Sequence, residues 1–195
     1  MKLAPLRTKG KDGFTIVELL IVIVIIGILA ALIIVIYGGI QQRANNSQTL
    51  SVLNDYVKAT RAYAADNNKY PEPSAGAIVF SCVGVGYPAG KCLNVSAGAP
   101  TSCGGFGAVA EGPTWYNDAV KPYLGDKSPT PSLQVIPCVG VSVTGAAFLS
   151  NFPTGAARIY YVLSGTNCGA PGGLTGIRTG GDANSSTCII ILPNL

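Results

Sequence analysis

The sequence predicts an α+β protein. It has one long N-terminal α-helix, transmembrane and then amphipathic, packed on a small antiparallel β-sheet head rich in disulfides. Three observations predict this. Residues 14–36 hold only one charge, Glu18, and one other polar residue, Thr15. Residues 37–69 carry on with apolar positions at helical spacing. The rest is rich in Gly and Pro, with β-branched runs near its C-terminal end and all six cysteines of the chain.

The elements follow in order. Residues 1–13 carry Lys2, Arg7, Lys9 and Lys11 against Asp12, so most of the net charge of +4 is local to them. Pro5 and Gly10 disfavour a helix there. Beyond residue 13 the chain has nine basic and eight acidic residues. A nearly neutral body lacks the basic stripe that nucleic-acid binding needs. The basic segment stays cytoplasmic, so residues after Ile36 go outside.

Residues 14–36 are dominated by Ile and Val, but the run is too long for a strand and reads as helix. At 1.5 Å per residue it reaches about 34 Å, enough to cross a hydrocarbon core of about 30 Å. A cleaved secretory signal would need a shorter apolar core, of roughly 7–15 residues. Glu18 is the anomaly, since a charge at mid-membrane costs about 3 kcal/mol. It lies near the end of the run, where the cost is smaller.

Residues 37–70 extend the helix. Leu50, Leu53, Val57, Thr60 and Tyr63-Ala64 make one stripe, suited to covering a sheet. Asn67-Asn68-Lys69-Tyr70-Pro71 ends it, because Asn accepts a left-handed conformation and Pro cannot continue a helix.

Residues 71–195 form the globular head. Residues 71–131 read as irregular, with a short strand over 77–83 and a short helix from Thr114 to about Leu124. Either Thr114 caps that helix or Pro113 is its first residue, and Pro122 makes its end irregular. Trp115 anchors it on the core. Residues 132–195 supply the sheet, with strands at 133–139, 141–143, 157–163 and 187–192. Pro137 places its strand at an edge or a bulge. The last strand is nearly all apolar and so covered on both faces. Gly169 to Ser186 reads as a loop.

The stretch Gly13-Phe14-Thr15-Ile16-Val17-Glu18-Leu19-Leu20 resembles the N-terminal signature of type IV pilins and pseudopilins. The resemblance covers about the first quarter of the chain. It implies that residues 1–13 are a leader and that a prepilin peptidase cuts between Gly13 and Phe14. It also implies that Phe14 is then N-methylated and that Glu18 assists assembly by attracting the new amine of a neighbouring subunit. Lys11-Asp12-Gly13 departs from leaders that put Lys or Arg directly before Gly.

The family also bears on the helix. Gly27 matches a place where such helices loosen in the filament, although close helix packing explains a Gly equally well. Many pilins carry a Pro further on, and this chain has none before Pro71. Any kink therefore falls at Gly27 or at Gly38-Gly39.

Six cysteines outside the cytoplasm read as three disulfides, with 15 possible pairings. The expected set is Cys82–Cys92, Cys103–Cys138 and Cys168–Cys188, each closing a short or moderate loop. The last resembles the C-terminal disulfide loop of many pilins.

Catalytic chemistry is not expected. The chain has no His, which removes Ser-His-Asp and Cys-His sites, and it has no Cys-x-x-Cys pair for a metal. Thr179-Gly180-Gly181-Asp182 lacks the lysine of a phosphate loop. Asp182 and Asn184 offer too few oxygens for calcium. The sequons at Asn45, Asn94 and Asn184 are too unspecific to assign a glycan. The resemblance thus implies a structural subunit of a type IV pilus, with no cofactor and no metal. Such filaments serve adhesion, twitching motility or DNA uptake. Its partners are copies of itself, the prepilin peptidase, an assembly platform with a cytoplasmic ATPase, and the membrane before assembly. The precursor sits in the bacterial cytoplasmic membrane and the mature subunit in an extracellular filament. The alternatives are a pseudopilin of a secretion system, a minor tip pilin, and a bitopic membrane-anchored surface protein that is never cut.

Overall fold

The computed structural model describes residues 13–73, 80–87, 92–95, 106–108, 114–133, 136–138, 141–150 and 156–193. The chain divides into two compact units, the first ending at Gln41 and the second running from Gln42 to Leu195.

In the first unit, helix α1 (Ile16–Asn67) begins after three non-helical residues. It passes Gly27, Gly38 and Gly39 without a break. The helical assignment is continuous through all three glycines, the places where any kink would fall. A Cβ added at any of the three would meet nothing within 4 Å, so no contact inside the chain demands Gly there.

The second unit holds the C-terminal part of α1 and the sheet. α1 stops where the sequence expects, with Asn68 left-handed at φ 53°. Leu53, Val57, Thr60 and Ala64 are buried, but so are Thr49, Tyr56 and Ala59. The covered face is thus wider than the stripe read from the sequence.

The main sheet has strands β1 (Phe80–Cys82), β6 (Ala146–Leu149), β7 (Arg158–Ser164), β8 (Ile177–Gly180) and β9 (Ser185–Ile191). Their spatial order is β1-β6-β7-β9-β8, with every pairing antiparallel. Two small antiparallel pairs stand apart from it: β2 (Leu93–Val95) with β3 (Phe106–Ala108), and β4 (Ile136–Cys138) with β5 (Val141–Val143). Pro137 lies in a two-stranded pair, where each strand is an edge.

Three expectations need correction. β6 was not anticipated. β8 lies inside the stretch read as loop. β2 and β3 lie inside the region read as irregular. Of the strand expected over 77–83, residues 77–79 lie outside the described residues.

β7 shows how the sheet serves two layers. Ile159, Tyr161 and Leu163 join Leu53, Tyr56 and Val57 of α1 in one core. Tyr160 and Val162, on the opposite face, join Cys82, Tyr87, Cys92 and Ile189 in a second. β9 is buried from Ser185 to Ile190, covered on both faces as expected. Its polar start is satisfied: Ser186 donates to the carbonyl of Gly165 at 2.6 Å.

Helix α2 (Trp115–Val120) locks α1 to the sheet. Tyr116 is fully buried and stacks on Phe148 at 4.1 Å and on Tyr56 of α1 at 5.8 Å. Its hydroxyl lies 2.7 Å from that of Thr60. Trp115 meets Phe148 edge-on at 5.8 Å, the anchoring role expected of it. Thr114 holds the cap position but makes no capping bond, because its hydroxyl donates to Asp118 at 3.2 Å. Pro113 lies outside the described residues. Pro122 falls in a 3-10 turn over Lys121–Leu124, the irregular end its missing N–H imposes.

Polar side chains on α1 hold loops of the head. Asn46 donates to the carbonyl of Ser164 at 2.8 Å and accepts from its N–H at 2.9 Å. Asn54 accepts from the N–H of Gly172, and Arg61 donates to the carbonyl of the same residue. Gly172 has φ 64°, and a Cβ there would lie 2.4 Å from Val57 Cγ1. Gly172→Ala therefore adds left-handed strain to a clash. We expect it to lower stability by about 2–4 kcal/mol, read as a lower urea midpoint of the full chain in detergent. An unchanged midpoint would show that the loop does not need its seat on α1.

Disulfides join Cys82 to Cys92 and Cys168 to Cys188. Cys103 lies outside the described residues, as does the side chain of Cys138, so the expected Cys103–Cys138 bridge does too.

The β8–β9 turn uses Asp182. Its carboxylate accepts from the N–H of Asn184 at 2.7 Å and from the Ser185 hydroxyl at 2.9 Å. These bonds favour the ionised form and hold its pKa below the ordinary 3.8. A lowered folded pKa means the bonds support the turn above pH 3.8 and are lost as pH falls through the lower, folded value. The Asn184 amide resonance should accordingly titrate below pH 3.8. A midpoint at or above 3.8 would contradict the turn geometry.

Candidate functional site

The site is built at the start of α1. Gly13, Phe14 and Thr15 are non-helical and exposed, and the Phe14 side chain is 89% exposed. The bond between Gly13 and Phe14 thus lies in open backbone. Thr15 then starts the helix, its carbonyl accepting from the N–H of Leu19 at 3.2 Å.

Thr15 and Glu18 form a reciprocal cap. The N–H of Glu18 donates to Thr15 Oγ1 at 3.2 Å, and the N–H of Thr15 donates to Glu18 Oε2 at 2.8 Å. The Thr15 hydroxyl donates to the same oxygen at 2.9 Å. This is a capping box, in which a Thr and a Glu three residues later each satisfy an orphan donor of the helix end. The family resemblance implies an assembly role for Glu18 and none for Thr15. The signal was present, since Thr-x-x-Glu directly before an apolar run is the pattern of such a cap. Glu18 Oε1 takes no hydrogen bond among the described residues.

From Ile16 to Ile34 every large apolar side chain is at least half exposed, down to 50% at Leu20 and Ile25. A continuous apolar surface of this length is not stable in water, and it calls for lipid or other apolar helices. α1 is long and apolar enough to cross a membrane.

No group of three His, Cys, Asp or Glu could hold a metal among the described residues. Asp182 is engaged in its turn, and Asn184 stands beside it without forming a cation cage. Burial pushes the hydroxyls of Tyr56, Tyr87, Tyr116 and Tyr161 upward, so they stay protonated.

The prokaryotic N-terminal methylation motif matches residues 8–34. The chain carries a prepilin signature. The match includes Gly13, Phe14, Thr15 and Glu18 together with most of the apolar run. Among curated proteins, a type IV wide pilus major component, PilA4, of Thermus thermophilus is 41% identical over 70 residues. That alignment covers 36% of this chain and 53% of the relative. Type II secretion system core protein G of Aeromonas hydrophila is 34% identical over 71 residues, 36% of this chain and 50% of its own. The core protein G of Pectobacterium carotovorum is 36% identical over 64 residues, 33% and 41% of the two chains. The chain thus spans about half the length of the curated relatives it matches. Over about a third of its length it is similar to a type IV pilus major component and to type II secretion system core proteins G. No solved structure matches it.

Proposed function

We propose that this chain is the precursor of a type IV pilin, a structural subunit without catalytic activity. The observation that carries the proposal is the exposed apolar helix starting two residues after an open Gly13–Phe14 bond, with Glu18 at its first turn. Residues 1–13 are the leader. A prepilin peptidase cuts after Gly13, where Gly offers a small, flexible residue, and Phe14 is N-methylated. Residues 14–36 hold the subunit in the cytoplasmic membrane and then enter the filament core. Residues 37–70 carry the rest of the helix and its end, and residues 71–195 form the outer head. Gly27, Gly38 and Gly39 are the places where the helix yields or neighbours approach. An assembly platform driven by a cytoplasmic ATPase lifts the subunit into an extracellular filament.

Glu18 supplies the driving step. Its cap uses Oε2 alone, so Oε1 is open to the Phe14 ammonium of a neighbour. In hydrocarbon both charges are costly until they meet, so their pairing favours the filament over the dispersed membrane state.

The similarity to core protein G supports a second reading, a pseudopilin in a short periplasmic fibre. One experiment separates the readings. Filaments are sheared from cells, pelleted, and the intact mass and N-terminal peptide are measured. We expect a chain starting at methylated Phe14 as the main component of long surface filaments. A mature chain confined to the cell envelope would favour the pseudopilin. A chain still starting at Met1, found only in membranes, would refute both.

A further inference from the structure

The start of α1 limits how far the helix can sink into lipid. The first N–H groups of a helix have no partner within it. Here the cap satisfies those of Thr15 and Glu18. Those of Ile16 and Val17 make no hydrogen bond among the described residues. Leu19 is the first residue whose N–H joins the helix ladder, donating to the Thr15 carbonyl at 3.2 Å. Backbone groups left unpaired are not tolerated against lipid tails, and neither is non-helical chain such as Gly13, Phe14 and Thr15. Those residues and the first turn therefore stay in headgroups or water, and the hydrocarbon begins at Leu19.

From Leu19 the sequence measures out the other boundary. Residues 19–36 carry no polar side chain. These 18 residues rise about 27 Å, close to a hydrocarbon thickness of about 30 Å. The next residue is Tyr37, 65% exposed, which carries the first hydroxyl after Thr15. That hydroxyl makes no hydrogen bond among the described residues. A ring with an apolar body and a polar tip suits the layer where lipid tails meet headgroups. Sliding the helix either way is unfavourable. Outward motion draws Glu18 and the unpaired N–H groups into hydrocarbon. Inward motion by one turn sinks the Tyr37 hydroxyl and takes Leu19, Leu20 and Ile21 out of lipid. In return it gains Gly38 and Gly39, which have no side chain to bury, and at most Ile40. We infer that Tyr37 anchors the precursor in the outer headgroup layer and, with the Thr15–Glu18 cap, fixes its depth, so that residues 19–36 alone lie in hydrocarbon. This rests on the reading that the apolar run spans the bilayer. It leaves the Gly13–Phe14 bond on the water side of the inner boundary, where a peptidase reaches it without first pulling it from lipid.

The test uses the full chain in vesicles of phosphatidylglycerol and phosphatidylcholine. The lipids carry bromine, a fluorescence quencher, either next to the headgroup or near the ends of the acyl chains. Flotation first establishes that the chain is embedded. Trp emission is then read in Ile33→Trp, Tyr37→Trp and Ile40→Trp, at three exposed positions, against the parent, whose only Trp is Trp115. We expect the deep bromine to quench position 33 most, the shallow bromine to quench position 37 most, and position 40 to be quenched least by either. Deep quenching at position 40 as strong as at position 33 overturns the outer boundary. The anchor is tested by adding Tyr37→Leu to Ile33→Trp. Without the hydroxyl the helix slides inward by up to one turn, about 5.4 Å, and the deep-to-shallow quenching ratio should rise at least about twofold. An unchanged ratio overturns the anchor. A chain that does not float refutes the spanning reading itself, and flotation tells this failure apart from failure of the anchor.

Discussion

Glu18→Ala should leave processed protein in the membrane and reduce filament yield by at least about a hundredfold. The size follows from what the substitution strands. In the filament the Phe14 ammonium of a neighbouring subunit would be buried without its carboxylate, and breaking a buried pair costs about 3–5 kcal/mol. The capping box complicates the interpretation, because Glu18→Ala also removes the acceptor of the Thr15 N–H and hydroxyl. Glu18→Gln separates the two effects. Gln in that position still completes a capping box but carries no charge. We expect Glu18→Gln to assemble as poorly as Glu18→Ala. Thr15→Val, which weakens the cap and keeps the charge, should assemble far better than either. Normal filament yield from Glu18→Gln would mean that the cap, and not the charge, is what assembly requires.

The same two residues show what is legible in a sequence of this kind. Glu18 stood out because a charge in an apolar run is costly and therefore visible. Thr15 did not, because a hydroxyl in a helix costs little, although the cap depends on it equally. The long helix was legible to its last turn, since Asn68 adopts the left-handed conformation that its side chain tolerates. β7 and β9 were legible as runs of β-branched and aromatic residues. β6 was not, because Ala146-Ala147-Phe148-Leu149 has neither alternation nor β-branching. It is a strand because Gly145 at φ 72° turns the chain against Tyr87 and because β1 and β7 pair with it on both sides. β8 was hidden for a related reason. Ile177-Arg178-Thr179-Gly180 is exposed and sits among glycines, and only its pairing with β9 makes it a strand. The start of β9 was read two residues late, because Ser185 and Ser186 look like loop residues. Ser185 donates to Asp182 in the turn and Ser186 to the carbonyl of Gly165 past the end of β7, which is what lets polar residues be buried there. Tertiary contact thus decided the short elements, whereas local chemistry decided the long ones.

Tyr116→Ala should be the most destabilising single change in the head, by about 3–5 kcal/mol. Tyr116 is completely buried and lies between Tyr56 of α1 and Phe148 of β6, so one ring bridges helix and sheet. Truncation leaves a cavity between two layers that the backbone cannot easily close, because α1 is also held at Asn46 and Asn54. Tyr116→Phe tests the hydroxyl separately. Thr60 would still bond to the carbonyl of Tyr56 at 2.6 Å, so no buried donor is stranded and the cost should stay near 1 kcal/mol. Urea unfolding of the full chain in detergent reads both variants, with fluorescence of Trp115, the only Trp in the chain, as the probe. A large loss in Ala with a small one in Phe assigns the stability to ring stacking. Similar losses in the two would place it in the hydroxyl pair with Thr60, and the aromatic bridge would not be what holds α1 on the sheet.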